Sequence, residues 1–235
     1  MPSKNSIKIY VEKGFYHVYN RGVNKMPIFL DEQDFKVFLF YMDLYLNPKQ
    51  ESIEKIRNNN NLTEEEKNKR VSKLLCLNNF FEKIEILCYV LMPNHFHFLL
   101  KQINKTDMKF FIKSILTKYS QYFNKKYKRV GHVFQDRYKA ILMDKEEYLL
   151  HLSRYIHQNA KDILKNNQKL VNYPWSSYSK YISGVGPKWL KKEYVLSYFK
   201  SIQGYGFSSY QGFVEGYKEK SEVEDDDIFK KLLLD

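Results

Sequence analysis

The chain has 235 residues, in which 39 Lys and Arg oppose 27 Asp and Glu for a net charge of +12. This length suits one sizeable domain with its own core. No stretch is apolar for long enough to cross a bilayer, the start lacks a signal-peptide pattern, and the two cysteines lack metal-site spacing. These features exclude a membrane protein and a disulfide-rich secreted domain, and they predict a soluble, cytoplasmic protein with buried thiols.

The positive charge is concentrated in one part of the chain. Residues 101–145 hold twelve Lys or Arg against three Asp, with aromatic residues interleaved, whereas residues 215–235 are acidic. Basic and aromatic side chains together suit a phosphate backbone with stacked bases. The alternative is a solvated, lysine-rich surface, which charge alone does not exclude.

The first third of the chain predicts a strand, a helix and an inserted helical hairpin. Residues 14–22 alternate aromatic and β-branched residues before an Arg-Gly turn, as a strand does. Residues 31–46 repeat apolar residues at helical spacing. Residues 48–80 then change abruptly to charge and Asn, and Thr63 with Glu66 has the spacing of a capping box. We interpret 48–80 as an exposed helical hairpin inserted into the domain.

The central part of the chain predicts three strands and two helices. In chain order these are two strands within 83–101, broken at Pro93-Asn94, a basic amphipathic helix over 106–126, a strand over 137–143 and a helix from Asp144 to about Asn159. Strands joined by a tight turn must be antiparallel. The order strand, helix, strand, strand, helix, strand, helix therefore predicts an α+β fold, an antiparallel sheet packed against helices.

Two histidines one residue apart, His95 and His97, lie in the strand that follows the Pro-Asn turn. Side chains two residues apart on a strand point to the same face, so both imidazoles converge while Phe96 and Phe98 point the other way. Such a pair is a good platform for a metal ion. The alternative is one surface histidine and one hydrogen-bonded core histidine.

The last predicted helix offers a tyrosine and an amide to the same face. Its apolar stripe is formed by Leu149, Leu152 and Ile156, which must face the sheet. Tyr155 and Asn159, four residues apart, lie one turn above the other at the edge of that stripe, where they can reach a shared metal site. The alternatives are a tyrosine at the margin of the core and an asparagine that caps the helix.

Five sequence blocks, in order, resemble those of the REP-associated tyrosine transposases, which are single-tyrosine HUH (His-hydrophobic-His) transposases of insertion sequences. The blocks are FYHVYNRG, VLMPNHFHFLL, YSQYFNKKY, GHVFQDRYKAILMDKEEYLLHLSRYIHQN and YPWSSYSKY, within residues 14–181. The resemblance implies an HUH endonuclease fold with a ferredoxin-like, palm-type sheet. We predict a catalytic domain over residues 1–165, with the insertion at 48–80, and an accessory segment with an acidic tail over 166–235.

The resemblance also implies a metal-dependent endonuclease and strand transferase for single-stranded, hairpin-bearing DNA, acting through a 5′-phosphotyrosine with Mg²⁺ or Mn²⁺. It makes Tyr155 the nucleophile and His95, His97 and Asn159 the metal ligands. The family commonly has Asn-Pro where this chain has Asn159-Ala160, so His151 is considered as a substitute ligand. Tyr119 and Tyr122 are rival nucleophiles, but their spacing favours core or stacking roles.

Four residues are candidates for contact with DNA: Lys118, Gln135, Arg137 and Lys139. Gln135 and Arg137 match positions of the family, and the basic side chains suit phosphates, although ordinary surface charge is the alternative for each. We expect a monomer or homodimer. Two other functions stay open, a catalytically inactive nucleic-acid-binding protein of the same fold and a nickase like a relaxase or replication initiator.

Overall fold

The computed structural model describes residues 8–165, 168–201 and 209–216. In these ranges the strands are β1 (Phe15–Arg21), β2 (Ile84–Met92), β3 (His95–Gln102) and β4 (Lys139–Met143). The α-helices there are α1 (Glu32–Leu46), α2 (Lys49–Arg57), α3 (Glu64–Leu75), α4 (Asp107–Lys126), α5 (Glu146–Gln158), α6 (Tyr178–Ser183), α7 (Glu193–Ser201) and α8 (Tyr210–Glu215). Within the described residue ranges, no helix combines the length and apolar character needed to cross a membrane.

The four strands form one sheet in the order β2-β3-β1-β4, and every neighbouring pair is antiparallel. The tight turn at Pro93-Asn94 makes β2 and β3 neighbours, while the connections through α1 and α4 let β1 pair between β3 and β4. This βαββαβ arrangement is the ferredoxin-like one. The predicted α+β fold with an antiparallel sheet and packed helices is therefore confirmed.

Side-chain alternation along β3 divides the domain into two apolar layers. Phe96 and Phe98 lie in one buried cluster with α1 and α4, through residues such as Phe38 and Ile115. The opposite face of the sheet, which bears the histidines, is covered by α5 and the C-terminal helices. The histidine-bearing face is thus enclosed between the sheet and α5 rather than open to solvent along its whole length.

The inserted segment forms the predicted helical hairpin, with α2 and α3 packed on each other. The capping box at the start of α3 is present, since the Glu66 N–H donates to Thr63 Oγ1 at 3.2 Å and the Thr63 N–H to Glu66 Oε2 at 2.9 Å. In these two helices only Val71 and Leu74 are buried. Cys76, which caps α3, is exposed while Cys88 is buried, so the prediction of two buried thiols is wrong for Cys76.

The segment before α6 attaches the C-terminal helices to the edge of the sheet. The Trp175 ring stacks on Phe35 with centroids 4.6 Å apart, and the Leu91 N–H donates to the Trp175 carbonyl. The Ser177 N–H donates to the Tyr89 carbonyl, which extends the contact along β2. The acidic tail predicted at the C-terminal end lies outside the described residues.

Candidate active site

The histidine pair lies on the face of the sheet that α5 covers. His95 and His97 are on β3, one of the two central strands, and their ring centroids are 5.0 Å apart with perpendicular planes. Antiparallel pairing places Arg21 opposite His95 and Tyr19 opposite His97 on β1. Directly opposite residues share a face, so the two imidazoles have an aromatic and a basic side chain as neighbours.

A hydrogen bond to the preceding residue fixes the proton on the His95 ring. The His95 Nδ1 atom lies 2.6 Å from Asn94 Oδ1, and the Asn94 amide nitrogen donates to the Lys25 carbonyl. Because the amide oxygen only accepts, the neutral ring carries its proton on Nδ1 and keeps the lone pair on Nε2. Nε2 is therefore the nitrogen of His95 that could bind a cation.

A third histidine, His17 on β1, contacts the pair and was missed by the sequence reasoning. His17 Nε2 lies 2.9 Å from His97 Nδ1, and the two rings are stacked with centroids 5.1 Å apart. This contact engages Nδ1 of His97. If His97 binds a cation, it therefore does so through its other ring nitrogen, Nε2. The sequence feature that could have indicated His17 is the alternation of FYHVYNRG, which puts His17 and Tyr19 on one face of their strand.

Burial keeps two of these rings neutral. It lowers the pKa of His17 to about 3. It also holds the pKa of His97 well below the usual histidine range, with the neighbouring His17 and His95 adding to the effect. An imidazole binds a metal through the lone pair of its neutral form. At neutral pH the buried part of this site is therefore in the protonation state that a metal requires.

Helix α5 carries Tyr155 over the histidines. Its stripe of Leu149, Leu152 and Ile156 is buried against the sheet, as predicted from helical spacing. The Tyr155 ring meets His97 edge-on, with centroids 5.7 Å apart, and His17 in the same way at 6.1 Å. The structure thus brings the predicted nucleophile and one predicted metal ligand into contact.

Asn159 caps α5, which is the alternative role that the sequence predicts for it. Its side-chain Nδ2 donates to the Tyr155 carbonyl at 2.9 Å, a bond that does not use Oδ1. A 3₁₀ turn over Asn159–Ile163 continues the chain where a proline would have stopped the helix. His151, the substitute considered, packs its ring against Phe213 and has Nδ1 3.1 Å from Arg154 Nη2. These contacts belong to the α5–α8 interface.

Among the residues that the structure describes, no group of three or more His, Cys, Asp or Glu is placed to hold a metal ion. A set made of His95, His97 and Asn159 contains only two residues of those types. The third position of such a set therefore depends on the Asn159 amide oxygen.

A cleft of about 450 Å³ opens beside the histidine pair, and both His95 and His97 line it. Its other lining residues include four positively charged side chains and one carboxylate: Arg21, Lys25, Arg137, Lys139 and Asp136. Gln135 also lines the cleft and accepts a hydrogen bond from Arg21 Nε at 2.7 Å. The structure thus places Gln135, Arg137 and Lys139 next to the histidines, and adds Arg21 and Lys25, which the sequence reasoning did not single out.

Lys118 and the rival tyrosines lie on the other side of the sheet. All three are on α4, whose buried face packs against Phe96 and Phe98. Tyr119 is fully buried and donates to the Ile28 carbonyl, and Tyr122 donates to Asp34 Oδ1 at 2.9 Å. The predicted core role of Tyr119 is confirmed, and the structure does not bring Lys118 to the cleft.

The fold and site define an α+β protein with paired histidines and a tyrosine beside a basic cleft. Residues 53–159 match the family described as "Transposase IS200 like", and this segment includes the histidine pair and Tyr155. The family resemblance predicted from the sequence is thereby confirmed. The class of function that it indicates is a transposase acting on DNA.

No curated protein matches the chain in sequence. Among solved structures, one described as "Structure of the REP associates tyrosine transposase bound to a REP hairpin" is similar with a TM-score of 0.44 and 15% sequence identity. That similarity covers 78% of this chain and 88% of the other.

Proposed function

We propose that this protein is a metal-dependent endonuclease and strand transferase for single-stranded DNA, with Tyr155 as its nucleophile. The observation that carries the proposal is the edge-on contact of Tyr155 with His97, beside a cleft lined by basic side chains. The family match over this segment supports it. A hairpin next to the cleaved strand is the form of DNA that the family resemblance implies.

We propose that this donor set holds a divalent cation, Mg²⁺ or Mn²⁺, as the family resemblance implies. In His95 and His97 the Nδ1 atoms are engaged by Asn94 and His17, so we propose Nε2 of each ring as the ligand atom. We propose the Asn159 amide oxygen as the third ligand. Two imidazoles and one amide leave open positions for phosphate oxygens. When bound, the cation would polarise the scissile phosphate and hold its oxygens in place.

The cleft supplies the contacts for the DNA backbone. We propose that Arg137 and Lys139, with Arg21 beside them, neutralise phosphates on either side of the scissile bond. Gln135, held by Arg21, would position the strand through hydrogen bonds. These contacts fix the strand relative to Tyr155, and such positioning is a large part of the catalysis of phosphate transfer.

In the proposed reaction, Tyr155 Oη forms a bond to the scissile phosphorus while the bond from phosphorus to the 3′ oxygen breaks. The tyrosine proton is lost to solvent, and the leaving oxygen gains a proton to become a 3′-hydroxyl. The 5′ end of the DNA is then held as a phosphotyrosine ester. Attack by a 3′-hydroxyl on that ester reverses the step, releases Tyr155 and joins the strands without an energy cofactor, because one phosphate ester replaces another.

The test is a search for the covalent product with DNA of random sequence. Hairpin oligonucleotides with randomised single-stranded flanks are incubated with the protein and Mn²⁺, and DNA attached to denatured protein is recovered and sequenced. We expect adducts that share one flank sequence and that disappear with EDTA. Hairpin binding without any adduct would support the inactive nucleic-acid-binding alternative instead.

The boundary at residue 165, the oligomeric state and the cytoplasmic location stay predictions.

A further inference from the structure

His17 is a buried polar residue that makes one described hydrogen bond. Its side chain is 1% exposed, and Nε2 is bonded to His97 at 2.9 Å. Its other ring nitrogen, Nδ1, is buried and has no hydrogen-bond partner in the described part of the chain. The one described hydrogen bond of this side chain is therefore the bond from Nε2 to His97.

This arrangement is a poor one for packing alone. Burying a polar nitrogen without a partner lowers stability, a cost that an apolar ring of similar size would not incur. His17 also lies between aromatic neighbours, stacked on His97 and tilted against Tyr19, where a phenylalanine ring would find the same contacts. The feature that the imidazole supplies here and a phenylalanine ring would not is the hydrogen bond to His97 Nδ1.

A histidine that binds a metal through one nitrogen usually donates its other N–H to an acceptor, which fixes the orientation of the ring and the position of its proton. His95 has such an acceptor in Asn94. We propose that His17 is the corresponding positioning residue for His97, accepting its Nδ1–H and holding Nε2 toward a divalent cation. This inference rests on the proposed function, because it assumes that His97 is a metal ligand.

The test measures Mn²⁺ binding by the intact protein without DNA, from the electron paramagnetic resonance signal of unbound Mn²⁺. Three variants separate the hydrogen bond from packing. His17→Phe keeps a ring and removes both nitrogens. His17→Gln places a side-chain oxygen near the Nε2 position, where it can still accept from His97, and His17→Asn has the same amide but is one carbon too short.

We expect His17→Phe and His17→Asn to bind Mn²⁺ about 10- to 100-fold more weakly than wild type. His17→Gln should stay close to wild type. His17→Phe removes the unpartnered His17 Nδ1 but takes the acceptor from His97 Nδ1, so its unfolding temperature should stay near that of wild type. In the wild-type protein loaded with Mg²⁺, nitrogen NMR of the histidine rings should show the His97 proton on Nδ1. If His17→Phe does not fold, the comparison of the Gln and Asn variants decides.

Equal Mn²⁺ affinity in wild type and the Phe or Asn variant would overturn the role of His17 and leave the proposed function standing. A His97 proton found on Nε2 in the loaded protein would overturn it as well. If the wild-type protein bound no Mn²⁺ at all, both this role and the metal dependence of the proposed function would be wrong. Loss of binding in His95→Ala provides the positive control for the site.

Discussion

The ring of Tyr155 meets the ring of His97 edge-on, with centroids 5.7 Å apart and planes at 87°. Tyr155 belongs to a helix whose apolar stripe is buried against the sheet, and His97 belongs to one of the two central strands of that sheet. The position of the phenol is therefore set by core packing rather than by a loop. Groups mounted on packed helices and strands are held more accurately than groups on loops, as a nucleophile requires.

Replacing this tyrosine should separate binding from chemistry. We expect Tyr155→Phe to keep the fold and the affinity for hairpin DNA, because only a hydroxyl is removed from a partly exposed side chain. Covalent protein–DNA product should fall by roughly 10³-fold or more, as it does when other enzymes lose a nucleophile. The product is measured on denaturing gels with labelled DNA and Mn²⁺. Tyr148→Phe, two turns earlier on the same helix, is the matched control and should behave as wild type.

Two outcomes would contradict Tyr155 as the nucleophile, and the first is found by peptide mapping of the wild-type adduct. A nucleotide on a fragment that contains Tyr119 or Tyr122 would mean that the nucleophile lies on α4 and that the proposed site is wrong. Cleavage of the DNA at the wild-type rate without any adduct would indicate attack by water instead of tyrosine.

The two histidines of the pair should differ in their effect on stability while both remove metal-dependent cleavage. His95 is partly exposed and bonded to its own neighbour in the chain, so His95→Ala should leave the unfolding temperature nearly unchanged. His97→Ala leaves a cavity and a buried His17 nitrogen without its partner, which costs about 1–3 kcal/mol for the lost bond alone. Calorimetry and Mn²⁺-dependent cleavage measure the two effects. Mn²⁺-dependent cleavage at the wild-type rate in either variant would argue against a metal held by this pair.

Local patterns in the sequence were sufficient to predict most of the framework. The spacing of Leu149, Leu152 and Ile156 indicates which side of α5 is buried, and the alternation around His95 and His97 places both imidazoles on one face. These inferences hold because each depends only on the repeat of a helix or strand, and the structure contains both features.

The rest of the site depends on contacts between distant segments. His17 joins the histidine pair only because β1 pairs with β3 in one register, and no pattern within FYHVYNRG specifies that register. Lys118 was predicted at the DNA from the charge of its helix, but the side of the sheet on which α4 packs is set by the topology of the chain. Asn159 could be a ligand or a cap on sequence grounds, and only the geometry of the helix end shows the bond to Tyr155.

The salt dependence of DNA binding should distinguish the two sides of the sheet. Each cation that contacts a phosphate of single-stranded DNA contributes about −0.7 to the slope of log affinity against log salt. We expect Arg137→Ala to make that slope shallower by about this amount, because Arg137 lines the cleft beside the histidines. Lys118→Ala, with the same change of charge on the other side of the sheet, should leave it unchanged. Fluorescence anisotropy over a salt series measures both, and equal effects of the two variants would contradict the assignment of the cleft.

Asp34, near the start of α1, holds that helix to the end of α4. Its side chain is fully buried and accepts hydrogen bonds from Lys126 Nζ at 2.8 Å, Tyr127 Oη at 2.7 Å and the Leu30 N–H at 2.8 Å. Burial alone raises the pKa of this carboxyl, but the hydrogen bonds, with Lys126 first among them, outweigh burial and leave the pKa below its usual value. The folded state therefore prefers the carboxylate.

This preference predicts how stability changes in acid. Because the folded pKa of Asp34 is lower than the unfolded one, its contribution is complete well above pH 4 and is lost as pH falls through the folded pKa. At pH 7 we expect Asp34→Asn to lower the free energy of unfolding by about 1.5–3 kcal/mol, the usual value for hydrogen bonds to a charged group. The difference from wild type should shrink toward pH 3, where the wild-type carboxyl also begins to take up a proton.

Urea denaturation at a series of pH values measures this difference in the free energy of unfolding. Glu32→Gln is the control, since the Glu32–Lys36 pair on the same helix is exposed and should contribute little. A difference between wild type and Asp34→Asn that stays constant from pH 7 to pH 3 would mean that the charge of Asp34 does not stabilise the fold.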